Sequence, residues 1–281
     1  MARDIDGLTS STLKHLRDRW WDAAFTHFLR ETLQPRAGNR ILDVGCGVGT
    51  AELNLGLSGV SQVEVVAVDL LVERAREALR AARSRNIQVG FAAADACELP
   101  FADATFDSTF CVAVLQHLGD PGAAVAEFAR VTKPGGRVLA VEPDNSARYW
   151  YSSAEAGTRA FELGGRFFAN VAAARGDATD PAIGPKLPGL FGRHGIEPLA
   201  VRLFPVSVSR LGAPPSTVWD SRRAAVSRLV EKAPDESIRR LGADYLKLLD
   251  RYADEANSMG PGFVEIQHTM LFATVGQRPE E

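Results

Sequence analysis

The chain has 281 residues, of which 46% are apolar and 24% charged, and a formal charge of −3 at neutral pH. That length carries a core large enough for one sizeable α/β domain, and the balance is that of a globular enzyme rather than a disordered or fibrous chain. The absence of a basic excess argues against a nucleic-acid partner, and no apolar run approaches the ~20 residues that cross a bilayer.

The N-terminus carries charges with no apolar signal core behind them, which predicts a cytoplasmic protein. Cys46, Cys97 and Cys111 are odd in number and lack CxxC spacing, so a disulfide framework or a structural zinc site is not expected. Ser10, Ser11 or Thr12 can cap a helix with apolar residues at Leu13, Leu16, Trp20, Ala23, Ala24 and Phe28, closed before Pro35. Arg40 to Val44 is a short apolar strand that runs into glycines, and Val63 to Val68 is a second strand ending at Asp69. Helices are predicted over Thr50 to Leu57, Val72 to Arg85 and Pro121 to Val131, and strands over Ile87 to Ala92 and Thr105 to Val112. Lys133-Pro134-Gly135-Gly136 reads as a turn feeding a strand from Arg137 to Val141. Beyond Glu142 the alternation weakens. Asp144 to Arg175 and Pro214 to Asn257 read as helical insertions around two further strands near Leu199 to Val208 and Phe263 to Val275. Strands alternating with helices imply a sheet that is mainly parallel and covered on both faces.

Asp43-Val44-Gly45-Cys46-Gly47-Val48-Gly49 lies between a strand and a helix, where glycines let the backbone turn tightly and approach a ligand. The spacing departs from the dinucleotide pattern, which places its third glycine one residue later. Asp43 would repel a pyrophosphate but suits an ammonium group. Asp69 follows Gly49 by 20 residues, the interval at which an acid reaches ribose hydroxyls.

In order along the chain stand Ile41 to Gly49, Val66-Ala67-Val68-Asp69, Ala94 to Phe101, Phe106-Asp107, Val114-Leu115-Gln116-His117-Leu118 and Lys133-Pro134-Gly135-Gly136. With these motifs the sequence resembles the class I S-adenosylmethionine-dependent methyltransferases, in the small-molecule branch that includes ubiquinone and menaquinone biosynthesis enzymes. The resemblance implies a doubly wound, mainly parallel seven-stranded α/β sheet with an N-terminal helix and helical lid insertions. With no internal repeat, low-complexity tract or clear linker, the chain reads as one domain: a cap over 1–36, a cofactor-binding core over 37–145, lids over 146–182 and 212–260, and the rest of the core over 183–211 and 261–277. The weaker likeness of Ile183 to Phe191 to the helix after the fifth strand extends the resemblance into the C-terminal half. By the same resemblance Gly45 and Gly47 lie against the amino-acid part of S-adenosylmethionine beside Asp43. Asp69 holds the ribose, Leu70 touches the adenine, and Asp95 with Ala96 reads the adenine amino group, with Val112 and Gln116 at the end of the fourth strand.

Displacement at a sulfonium carbon depends on holding the nucleophile close and in line, so a strong base is optional. His117, after the fourth strand, and Glu142, after the fifth, are the candidate proton acceptors, with Asp144 beside Glu142; a shaping role for His117 and a surface role for Glu142 are the competing readings. Trp20, Trp21, Tyr149 and Trp150 could wall an acceptor pocket, or serve as core. Val264, Ile266, Met270 and Phe272 share the parity of His268, which reads as core, and no histidine or acid set has metal-ligand spacing. The expected partner is a small-molecule acceptor, with a homodimer left open. The competing readings are a protein-directed methyltransferase, a non-catalytic cofactor-binding module and a nicotinamide-dependent oxidoreductase, the last disfavoured by Asp43.

Overall fold

The computed structural model describes residues 18–56, 62–174 and 179–280. Seven strands form a single sheet: β1 (Arg40–Val44), β2 (Glu64–Asp69), β3 (Gly90–Ala93), β4 (Phe106–Val112), β5 (Thr132–Ser152), β6 (Glu197–Leu211) and β7 (Val264–Gln277). Their order is β3-β2-β1-β4-β5-β7-β6. The first five are parallel and β7 is antiparallel to both neighbours. The chain moves outward from β1 to β3, then returns to place β4 on the other side of β1. That reversal opens a crevice beyond the carboxyl ends of β1 and β4, where α/β sheets bind ligands.

Strand alternation builds the two faces. Leu42, Val44, Val138 and Ala140 face one apolar layer, with Val125 and Phe128 of α4 (Pro121–Val131) and Leu187 and Phe191 of α6 (Leu187–Arg193). Ile41, Leu139 and Val141 face the other, with Phe25, Leu29 and Leu33 of α1 (Ala23–Leu33) and Ala51 and Leu55 of α2 (Thr50–Leu55). Helix α3 (Val72–Ser84) follows β2.

Three predicted elements differ from the structure. The described part of the N-terminal helix is broken: a 3-10 turn spans Asp18–Trp20, and α1 starts at Ala23 because the Asp22 side chain accepts from the Phe25 amide at 2.8 Å. Ser10 to Leu16 lie outside the described residues. The Lys133-Pro134-Gly135-Gly136 segment keeps its left-handed residue, Gly135 at φ 73°, yet is drawn into the sheet, with Gly135 donating to Arg278 O and Arg278 to Gly136 O. Finally, β5 continues to Ser152, so 144–152 is strand rather than helical insertion. Tyr149 to Ser152 pair with Glu265 to His268 of β7, and these aromatic residues suit a pleated surface.

The inserted helices, α5 (Glu155–Ala174), α7 (Ser216–Glu231) and α8 (Glu236–Met259), share a third apolar cluster that includes Phe167, Trp219, Tyr252 and Phe263. Glu265 of β7 is fully buried there. It accepts from Arg210, from Arg222 at 2.7 Å and from the Tyr252 hydroxyl at 2.7 Å. The Arg222 guanidinium lies over the rings of Trp219, Trp150 and Tyr252. Despite the cost of burial, these donors and charges hold the Glu265 carboxyl below its usual pKa. A depressed carboxyl stabilises the fold above its unfolded pKa, and that contribution is lost on acidification through the folded value. Glu265→Ala is therefore expected to cost about 3–5 kcal/mol in denaturant unfolding at neutral pH, because Arg222 is left buried without its counter-charge. An unchanged midpoint would contradict this account.

Candidate active site

The glycine loop follows from where β1 ends. Gly45 (φ 77°), Gly47 (φ 57°) and Gly49 (φ 82°) all occupy the left-handed region. At Gly45 there is a second constraint, since an added Cβ would stand 2.3 Å from a methyl of Val114. The loop after β1 is thus pressed against the turn after β4. The Gly45 and Cys46 amides donate to Val68 O at 2.7 and 2.9 Å, tying the loop to the end of β2.

Asp69 completes that tie. Its carboxylate accepts from the Gly47 amide and from the Leu71 amide, each at 2.9 Å. Each oxygen keeps a further lone pair for a ligand hydroxyl. Leu70 beside it is 59% exposed, an apolar side chain at the mouth of the crevice. Asp95 accepts from the Cys97 amide at 2.8 Å and is exposed, whereas Ala96 is buried. Val112 ends β4 half-buried.

Beneath the loop the chemistry is unusual. Alternation along β1 turns Asp43 to the side of Ile41, the face covered by α2. Glu52 in the first turn of α2 meets it there, and the two are 2% and 3% exposed. Asp43 Oδ2 and both Glu52 carboxylate oxygens are buried without a hydrogen bond from any donor among the described residues. Burial, then the charge of Glu52 and that of Asp69, push the Asp43 carboxyl well up, and burial also raises Glu52. Burial and the same acids hold Cys46 as a neutral thiol. Among the described residues, no group of three or more His, Cys, Asp or Glu is placed to hold a metal ion.

Glu142, a candidate proton acceptor, lies within β5 rather than on a loop after it. It is fully buried, and it accepts from the amides of Val114 and Leu115 at 2.7 Å and more distantly from that of Gln116 at 3.4 Å. A carboxylate spent on backbone donors positions the Leu115–His117 3-10 turn. Gln116 is buried and accepts from Asn145 at 3.2 Å. His117 sits half-buried on the same turn. Asp144 is engaged by Ser146 through both its amide and hydroxyl.

The four aromatic candidates do not form one wall. Trp20 and Trp21 pack on the α1 face, where Trp21 meets Phe25 edge-on at 5.2 Å. Tyr149 and Trp150 are neighbours on β5 and so point to opposite faces. Tyr149 is 49% exposed and stacks on His268, which is half-buried rather than core. Trp150 stacks on Phe161 inside the helical cluster. Sequence reasoning missed Glu52: an acid in the first turn of a helix reads as a complement to the helix dipole. The available signal was its position next to Ala51, one turn before Leu55, on the stripe that α2 buries.

Residues 42–140 match the family model described as a methyltransferase domain. This segment is a methyltransferase domain. Demethylmenaquinone methyltransferase of Beutenbergia cavernae is 35% identical over 142 residues, 50% of this chain and 54% of that protein. O-methyltransferase cnsE of Penicillium expansum is 36% identical over 110 residues, 38% of this chain and 39% of that protein. The chain thus spans about half or less of the length of these curated relatives. Outside the methyltransferase domain the likeness is one of fold: the YcgJ protein of Bacillus subtilis superposes with a TM-score of 0.58 over 91% of this chain and 98% of its own, at 20% identity.

The buried acid of this domain yields a pH prediction for the ligand-free chain. A carboxyl whose folded pKa is raised contributes its stability below the unfolded value and loses it as pH climbs towards the folded one. The wild-type chain should therefore lose up to about 1.4 kcal/mol per pH unit from this source above the ordinary carboxylate range. Asp43→Asn should flatten that slope in unfolding titrations between pH 5 and 8. A slope unaltered by the substitution would show that Asp43 does not hold its proton.

Proposed function

We propose that this chain transfers the methyl group of S-adenosylmethionine to a small, partly apolar organic acceptor. The observation that carries the reading is the set of buried carboxylate oxygens of Asp43 and Glu52 that lack a donor, lying beneath a glycine loop whose neighbouring acid, Asp69, can still accept from a diol. That arrangement fits a ligand bearing an ammonium and a ribose. It disfavours a dinucleotide, whose pyrophosphate would meet acids where it needs donors.

When bound, S-adenosylmethionine supplies an electrophilic methyl carbon on a sulfonium. The chain's own residues do the rest by placement. Asp43 pairs with the ammonium, Gly45 and Gly47 give the backbone close access, and Asp69 accepts from the ribose hydroxyls. Leu70 covers the adenine, and Asp95 with Ala96 reads its amino edge. Glu142 and Asn145 hold Gln116 and the 3-10 turn in register, so that His117 borders the reacting face. There His117 can accept the proton that an acceptor hydroxyl or amine sheds. Tyr149, on the exposed side of β5, is the aromatic candidate for contact with the acceptor. Among the described residues no helix is long and apolar enough to cross a membrane. The relatives named for a demethylmenaquinone and for O-methylation support a small-molecule acceptor.

The test is transfer of isotopically labelled methyl from S-adenosylmethionine to a panel of quinols, phenols, amines and proteins. Label is expected in a small acceptor. Asp69→Ala should weaken S-adenosylhomocysteine binding by about tenfold or more, the worth of a charge-assisted hydrogen bond. Label found only in protein, or none bound at all, would overturn the assignment.

A further inference from the structure

Asp43 and Glu52 belong to different elements, β1 and α2, and meet in a layer that is otherwise apolar. The Glu52 carboxylate lies under the same glycine loop as Asp43, its Oε2 3.6 Å from where a Cβ on Gly49 would stand, and its charge pushes the Asp43 carboxyl up. Two carboxylates in contact and out of water cannot both be charged unless a cation joins them. Among the described residues the surroundings provide none. Asp69 at the end of β2 is the facing acid from the neighbouring strands, Phe110 of β4 is apolar there, and Cys46 faces them from the loop. Arg30 of α1 donates its guanidinium to Leu55 O and Gly56 O. Helix α3 turns its small residues inward, Ala78 lying against Gly49, while Glu73, Arg76, Glu77 and Arg80 are exposed and Arg74 is half-buried.

We propose that Glu52 is a second acid of the cofactor site: it shares one proton with Asp43 in the free chain, and the pair gives up that proton to solvent when a ligand ammonium binds. The inference rests on the S-adenosylmethionine reading and adds to it a residue and a proton. The charge balances. One proton on two carboxylates leaves the pair singly negative; after the exchange, two carboxylates with one ammonium carry the same net charge, so ligand binding adds no uncompensated charge to the buried layer. Binding is thereby coupled to pH, and ligands without the ammonium are not.

Calorimetric titration of the full chain provides the test. S-adenosylhomocysteine carries the ammonium and 5′-methylthioadenosine lacks it. In two buffers of different ionisation enthalpy, the first ligand should release a proton and lose affinity by up to about tenfold for each pH unit lowered. The second should bind without release and with little pH dependence. Glu52→Gln keeps the shape and can donate to Asp43, so it should fold; it should abolish the release and weaken S-adenosylhomocysteine by about tenfold or more while leaving 5′-methylthioadenosine unchanged. A purely structural Glu52 would alter both ligands alike. Equal effects on the two ligands, or binding of S-adenosylhomocysteine to the wild-type chain with no proton release, would overturn the proposal. Failure of both ligands to bind the wild-type chain would overturn the cofactor reading itself.

Discussion

A buried carboxylate needs a proton, a donor or a cation, and at the end of β1 this protein supplies Asp43 with another acid instead. The rest of the site is arranged around that deficit. Glycines at 45, 47 and 49 keep the backbone thin above it, and Asp69 braces the loop from β2 through the Gly47 amide. The turn after β4 closes the other side through Val114, which leaves no room for a side chain at Gly45. A site built this way is poor at self-satisfaction and suited to a ligand that arrives with its own positive charge. The arrangement exchanges some stability of the empty chain for selectivity towards that ligand.

Rigidity enters through backbone hydrogen bonds. Glu142 accepts from three consecutive amides of the turn that carries Gln116 and His117, so the middle of β5 sets the geometry at the end of β4. Catalysis by placement needs such bracing more than it needs a strong base, because misplacement of the reacting centre by an ångström is costly. The helical lobe has its own apolar cluster and its own buried ion network at Glu265. Its packing is therefore separate from that of the glycine loop. That separation agrees with the family match, which ends at residue 140, before the inserted helices begin.

Much of the core was legible in the sequence because its signals are local. An apolar run ending in glycines marked β1, a β-branched run ending at Asp69 marked β2, the glycines marked a tight loop, and the helix read over Pro121 to Val131 matches α4. The extension of β5 was not legible, since Asn145 and Ser146 resemble a helix start and the strand character of Tyr149 to Ser152 depends on its partner β7, more than 100 residues away. Glu142 looked like a loop acid at the ligand face because nothing in its neighbourhood announces three amides waiting across β4. Glu52 was hidden for the opposite reason: helix starts favour acids, so a buried one looks ordinary. Long-range pairing and burial decide these cases, and both are properties of the folded chain.

The most direct measurement is a crystal structure of the chain with S-adenosylhomocysteine bound. The account predicts the ligand amino nitrogen within hydrogen-bonding distance of the Asp43 carboxylate, on the side where its Oδ2 and the Glu52 carboxylate lack donors, and the ribose hydroxyls on Asp69. An amino nitrogen turned to solvent, with Asp43 and Glu52 still paired only to each other, would contradict it.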